Sequence, residues 1–164
     1  MSDTVFVNGV TLTDAEWFQD VNDPVYSQVA NVMNSAYGAV GDGSTDDTIA
    51  VAAALASTLD VYVPPDFTFL VTGLTASTAN QRIYGHGIIK LKDASNQALV
   101  RVTASGIVID GVRFDGNKAN QTTVDDILGS VIYLPTGVNN VEVMNCVIAN
   151  AKRNGIAGFG DHTG

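Results

Sequence analysis

Tyr37-Gly-Ala-Val-Gly-Asp-Gly-Ser-Thr-Asp-Asp-Thr48 runs directly into the alanine-rich segment Ile49 to Leu59, and Val61-Tyr-Val-Pro-Pro65 follows at once. Glycines at 38, 41 and 43 permit a left-handed or tightly folded backbone that other side chains resist. Ser44 stands where a helix cap is expected, and Asp47 three residues on completes a Ser/Thr-x-x-Asp/Glu box. Asp46 and Asp47 complement the positive end of that helix. The unit reads as a turn, a cap and a short helix that serves as a lid.

This run, Gly38, Gly41, Asp42, Gly43, Ser44, Asp46 and Asp47 above all, resembles the opening of the pectate-lyase-like superfamily of right-handed parallel β-helices. The resemblance covers roughly residues 36 to 70. It implies that the helix closes the N-terminal end of a β-helix and that the strand and Pro-rich turn after it start the first coils. It marks a fold more than a chemistry, because one fold hosts many activities.

The coils are legible beyond that point. Val61-Tyr-Val63 and Thr68-Phe-Leu-Val71 flank Pro64-Pro65-Asp66 and read as two strands around a turn. The superfamily more often has Pro-x-Gly-x-Tyr there, and Asp66-Phe67 departs from it, which leaves the geometry of the turn open. Ile83-Tyr-Gly-His-Gly-Ile88 and Ile109-Asp-Gly-Val-Arg-Phe114 share the pattern Ile-x-Gly-x-x-apolar at a spacing of 26 residues. Ile107-Val-Ile-Asp-Gly-Val-Arg-Phe114 matches Val141-Glu-Val-Met-Asn-Cys-Val-Ile148 at every inward apolar position at a spacing of 34, with a polar insertion from Asn117 to Asp126 in between. Alternation sends Ile107, Ile109, Val112 and Phe114 inward, stacked on Val141, Val143, Cys146 and Ile148. Asn154-Gly-Ile-Ala-Gly158 opens another strand, so the β-helix is expected to be incomplete at the C-terminus.

The first 35 residues read as a separate module. Asn8-Gly9 between two β-prone runs, Val5 to Val7 and Val10 to Leu12, is a hairpin signal. Thr13-Asp-Ala-Glu16 forms a capping box for a helix through Trp17, Phe18 and Val21, and Asp23-Pro24 starts a second that is expected to run to about Asn34. Phe18, Val21, Val25 and Val32 alternate at steps of three and four with Gln28 as the polar exception, which makes a seam. Helices below about 12–15 residues are marginal in water, so this seam needs cover from the same chain or from identical neighbours. The segment from Val7-Asn-Gly to Val25-Tyr26 resembles the N-terminal parts of bacteriophage tail spikes and tail fibres, which form a trimeric neck near the virion. That resemblance implies a homotrimer, docking on virion tail or adaptor proteins, and bacterial surface polysaccharide as a partner. The expected division is a virion-anchoring and trimerisation neck at 1–35 and the cap helix with first coils at 36–164.

Composition is consistent with short strands and turns: 15% charged residues and 16 glycines in 164 residues suit them better than a helical bundle. The eight basic residues all lie beyond residue 81, so residues 1–81 hold ten acids and no base, while 82–164 hold seven acids and eight bases. Nucleic-acid binding needs a basic footprint, which the first half lacks. The N-terminus has no basic start and no apolar core of secretory length, and the longest apolar run, Ile49 to Ala56, is too short to span a bilayer. Neither a secretory signal nor membrane insertion is expected. The single cysteine, Cys146, lies in an alternating apolar stretch and reads as a small buried hydrophobe.

Candidates for catalysis are few. Glycoside hydrolysis asks for two carboxylates about 5–5.5 Å or about 6.5–9.5 Å apart. Asp110 and Asp115 are the exposed acids of the best repeat, but the 34-residue spacing places Met144 and Ala149 over them, and the 26-residue spacing places Tyr84 and Ile89 beneath. They read better as turn residues. Asp125-Asp126 reads as a solvated loop. His86 falls opposite Val112 and is expected to be partly buried and hydrogen-bonded, and Asp161-His162 would belong to a site completed by further coils. No metal spacing, phosphate loop, dinucleotide fingerprint or Ser-His-Asp arrangement is present, so no metal or cofactor is expected. The expected function is the N-terminal part of a phage receptor-binding spike or fibre for host attachment, located in the virion tail, with any polysaccharide depolymerase activity elsewhere in the protein. The alternatives are a self-contained polysaccharide lyase or glycoside hydrolase and a non-enzymatic β-helix adhesin or assembly protein.

Overall fold

Strands of three to five residues, joined by turns rich in Gly and Asn, make up most of the regular structure in the computed structural model, which describes residues 5–7, 10–12, 29–122 and 125–158. β1 (Val5–Val7) and β2 (Val10–Leu12) pair antiparallel with Val7 opposite Val10, the spacing that Asn8-Gly9 calls for. The first expected helix and most of the second fall at 13–28, outside the described residues, and so do Phe18, Val21 and Val25. The second helix does not run on to Asn34. By Val29 the chain is in strand β3 (Val29–Asn31), where Ala30 pairs with Val61, and Val32 is fully buried in the core of the coils. A long-range parallel ladder overrides the local three-four spacing that Val32 shares with the residues before it.

From β3 onward the chain visits three parallel sheets in rotation. The first circuit holds β3, β4 (Asp42–Asp46) and helix α1 (Thr48–Leu55), which takes the place of a strand. The second holds β5 (Asp60–Val63), β6 (Thr68–Val71) and β7 (Leu74–Ala76), and the third β8 (Arg82–Gly85), β9 (Ile88–Leu91) and β10 (Val100–Val102). β11 (Val108–Asp110), β12 (Arg113–Asp115) and β13 (Ile132–Leu134) form the fourth, and β14 (Glu142–Met144), β15 (Val147–Ala149) and β16 (Ile156–Gly158) the fifth. The sheets run β3-β5-β8-β11-β14, β4-β6-β9-β12-β15 and β7-β10-β13-β16. The protein is thus mainly β, parallel, with little helix.

The core is a set of columns. Val61, Ile83, Ile109 and Val143 stack in register in the first sheet, and Phe69, Ile89, Phe114 and Ile148 in the second. The 34-residue spacing between the last two circuits holds in both columns. Each fully buried member contributes roughly 1.5–3 kcal/mol. The corner before the first sheet falls in the left-handed region in three successive circuits, at Asn80, Gly106 and Asn140. Asn and Gly tolerate that conformation where other residues resist it, so the coil repeats the same corner with the same two residue types. Asp66 takes a left-handed φ of 66°, so the turn between β5 and β6 has the shape a glycine would give it.

The lid differs from expectation in its cap. Ser44 lies within β4, and its N–H donates to Asp42 Oδ1 at 2.8 Å together with that of Thr45 at 2.7 Å. Asp47 is the residue before the helix, and its side chain makes no cap bond. Its buried carboxylate instead accepts the backbone N–H groups of Val40 at 2.7 Å and Gly41 at 3.1 Å. Asp46 serves the first turn, accepting the N–H of Thr48 at 3.1 Å. The Asp47 N–H, which a cap at Ser44 would serve, donates instead to the Leu70 carbonyl of the next circuit at 2.8 Å, so strand pairing delays the start of the helix. Helix α1 then ends at Leu55, short of Leu59. Gly41 is required by crowding: a Cβ there would lie 2.9 Å from Phe67 Cβ and Phe69 Cε1.

Candidate functional site

The outer faces of the first two sheets carry the candidate acids Asp110 and Asp115, since their inner faces are filled by the columns. On the first sheet, Tyr62 and Tyr84 are in register with ring centroids 5.3 Å apart. The Arg82 guanidinium lies 4.9 Å from the centre of the Tyr84 ring, and its Nη2 reaches Asp110 Oδ2 at 2.6 Å. Asn145, left-handed at the corner of the last circuit, donates Nδ2 to Asp110 Oδ1 at 2.8 Å. These bonds, from Asn145 first and then Arg82, hold the Asp110 carboxyl below the usual carboxylate range. In register with Asp110 stand Tyr84 and Met144, so no second carboxylate lines up with it.

Asp115 lies around the corner, on the second sheet. Its Oδ1 accepts the N–H of Asn117 and Nδ2 of Asn150, both at 2.9 Å. Ala149 is its neighbour in the next circuit, but the previous circuit presents Lys90, where Ile89 was expected. The cause is one extra residue. Ile83 pairs with Ile109 at a spacing of 26, whereas Ile89 pairs with Phe114 at 25, so the turn after β8 is one residue longer than the turn after β11. The extra residue falls at His86-Gly87, and of the two His86 turns outward. It is exposed, its Nδ1 lies 3.4 Å from the Gly111 carbonyl oxygen, and it does not stack on Val112 as the 26-residue spacing predicts.

Beside Asp115 the chain leaves β12 through Asn117 into a single 3-10 turn, Lys118–Asn120. This turn walls an open groove of about 540 Å³ lined by Lys90, Asp115, Asn117, Lys118, Ala119 and Asn150. Asn117 is buried and saturated: Nδ2 donates to the Leu91 carbonyl at 2.9 Å and Asp93 Oδ1 at 2.7 Å, and Oδ1 accepts from Asn120 at 3.0 Å. The Lys118 N–H donates to the Asn150 carbonyl at 3.0 Å, so the turn is pinned to the following circuit. Of the groove residues, sequence reasoning singled out Asp115 alone. Lys118 lies within the insertion recognised as polar, but nothing in the sequence brings it beside Lys90.

Asp161 lies outside the described residues. Cys146 is half-buried with Sγ 3.6 Å from the Ile109 carbonyl oxygen, and burial raises its thiol pKa. Among the described residues no three His, Cys, Asp or Glu side chains gather to hold a metal ion, and no helix is long and apolar enough to cross a membrane.

No protein-family profile matches the chain. Over 129 residues it is 29% identical to the tail spike protein of Escherichia virus K5, a match that covers 78% of this chain and 20% of that protein. ORF18 of Geobacillus virus E2 has a similar structure, with a TM-score of 0.66 over 90% of this chain and 32% of that one at 17% identity. The pre-mature gene product 12 of bacteriophage phi29 is similar too, with a TM-score of 0.60 over 79% of this chain and 19% of that one at 22% identity. All three are phage proteins. The structural matches carry the fold, and the sequence match supports a phage tail protein with a place in the virion. The chain spans about a fifth of the length of the tail spike that it matches.

Proposed function

We propose that this chain is the virion-proximal part of a phage tail spike or fibre. In this reading residues 1–35 form a neck that docks on the tail and trimerises, and the circuits from β3 onward are the first coils of a right-handed parallel β-helix of the pectate-lyase-like kind, closed at its start by α1. The whole protein attaches the phage to bacterial surface polysaccharide. The observation that carries the reading is the 29% identity to a tail spike along 78% of the chain, joined to an architecture in which each circuit after the first adds one strand to each of three parallel sheets.

The segment anchors, trimerises and starts the coil; it does not cleave. Asp110 is engaged by Arg82 and Asn145, and Asp115 by Asn117 and Asn150, and neither has a carboxylate in register in a neighbouring strand. Light scattering on the 164-residue chain at micromolar concentration tests the neck. A trimer is expected, and Val21→Asp with Val25→Asp should dissociate it while the far-ultraviolet signature of the coils persists. A monomeric wild type sinks the neck assignment. Turnover of purified capsular polysaccharide by this chain alone would move catalysis into it.

A further inference from the structure

The groove beside Asp115 has a chemistry of its own. Lys90 and Lys118 line it, and among the described residues neither forms an ion pair, whereas Arg82, Lys92 and Arg153 are paired with Asp110, Asp46 and Asp126. Lys152 adds a third ammonium at the rim, with Nζ 3.5 Å from the Lys118 carbonyl oxygen. Among the described residues Asp115 is the only carboxylate lining the groove, and nearby Asp93 is held by Asn117. In a chain of formal net charge −9, this concavity is locally positive.

Acceptors stand beside the donors. The hydrogen bonds to Asp115 both fall on Oδ1 and Asn150 is engaged through Nδ2, which leaves Asp115 Oδ2 and Asn150 Oδ1 without a protein partner among the described residues. A bare inorganic anion would use the ammonium groups and be repelled by Oδ2. A ligand with a carboxylate and hydroxyls on one ring satisfies both sets at once. Ala119 leaves room for the C–H face of such a ring, and the wall is fixed beforehand by the saturated Asn117 and the bond from Lys118 to Asn150. Such fixing lowers the cost of binding.

From this we infer that the groove is a subsite for an acidic saccharide, a uronic or sialic acid residue of a polysaccharide chain, with Lys90 and Lys118 holding its carboxylate and Asp115 and Asn150 accepting its hydroxyls. The inference rests on the polysaccharide reading above and adds the sugar class and the place. Both lysines lie along one circuit-to-circuit step, so a glycan running parallel to the stack would cross the groove.

The test is saturation-transfer NMR with the 164-residue chain and three acidic probes, tetragalacturonate, hyaluronan hexasaccharide and oligosialic acid, with maltohexaose as the neutral probe and sodium sulfate as the bare anion. At least one acidic probe should bind, weaken with added salt, and resist equimolar sulfate. Lys90→Gln and Lys118→Gln should each weaken it about tenfold at unchanged melting temperature. Arg101→Gln, the same charge change on the third sheet, should leave it unaltered. Displacement by equimolar sulfate would make this a plain anion site and overturn the saccharide assignment. Maltohexaose binding that the lysine variants leave intact would overturn the acidic subsite while the polysaccharide reading stands. Silence from all three acidic probes overturns the inference, and the light-scattering experiment then judges the tail-spike reading on its own.

Discussion

Asp47 shows how one side chain can hold a fold start together without doing what its position in the sequence suggests. Placed three residues after Ser44, it reads as the partner in a capping box, yet it is 2% exposed and its carboxylate clamps Val40 and Gly41 from inside. Asp47→Ala would leave two backbone donors unsatisfied next to the core, a loss of about 3 kcal/mol given roughly 1–3 kcal/mol for each buried group left unpaired. Chemical denaturation should show it as a shift of midpoint with little change in slope. Ser44→Ala, by contrast, should cost under about 0.5 kcal/mol, as an exposed substitution with no cap to lose. The sequence spells out the glycines that fold this turn, because positive φ has few residue types that tolerate it. It does not tell which of Asp42, Asp46 and Asp47 turns inward, since that depends on Phe67 and Phe69 arriving from the next circuit. His86 is the same lesson in reverse: a one-residue insertion is invisible to a spacing measured from Ile83 to Ile109, and only Ile89 pairing with Phe114 exposes it.

Among elements, the lid formed by β4 and α1 is the most dependent on charge. Thr48's hydroxyl, and then Lys92 at 2.9 Å, hold the Asp46 carboxyl at a pKa of about 2 against a usual 3.8, and hydrogen bonds from Thr45 and Ser44 lower that of Asp42 as well. A depressed carboxyl stabilises the fold fully above its unfolded value and loses that contribution as pH falls through the folded value. The melting temperature should therefore decline between about pH 4 and about pH 2, the interval set by those two values for Asp46. Asp46→Asn should lower the melting temperature at pH 5 and flatten the decline below pH 4. A variant that melts with the wild-type pH slope would show that the ion pair from β4 to the chain after β9 carries none of it. The hairpin β1-β2 and the strands β5, β6, β11 and β12 were readable because their alternation and turns are local. Strand β3 was not, because its pairing with β5 decides its conformation while Gln28 and Val32, which flank it, continue a helical spacing.

Across the whole molecule, stability is distributed as in a stack whose layers touch only their neighbours. The fourth circuit lies between two others, and Ile109, Phe114 and Ile132 are 0–2% exposed. The fifth is bounded on one side alone among the described residues: β14, β15 and β16 are each the last strand of their sheet, and Ile156, in register with the fully buried Ile132, is 47% exposed. The apolar pattern of Val141 to Ile148 announced Val141, Val143, Cys146 and Ile148 as core, and it did so correctly for direction, but it could not reveal that one flank lies open and leaves all four only partly buried. Ile109→Ala should accordingly cost about 3–4 kcal/mol, a buried aliphatic truncation with a cavity left behind. Val143→Ala, one step along the same column and only partly buried, should cost about 1 kcal/mol. The proposed β-helix makes the comparison sharper in a longer version of the protein. If another circuit stacks on the fifth there, Val143 becomes an interior member and Val143→Ala should rise to about 2 kcal/mol or more, while Ile109→Ala stays where it is. Equal costs for Val143→Ala in the two lengths would mean that nothing seats on β14, and the continuous spiral read from the 34-residue repeat would stop at the fifth circuit.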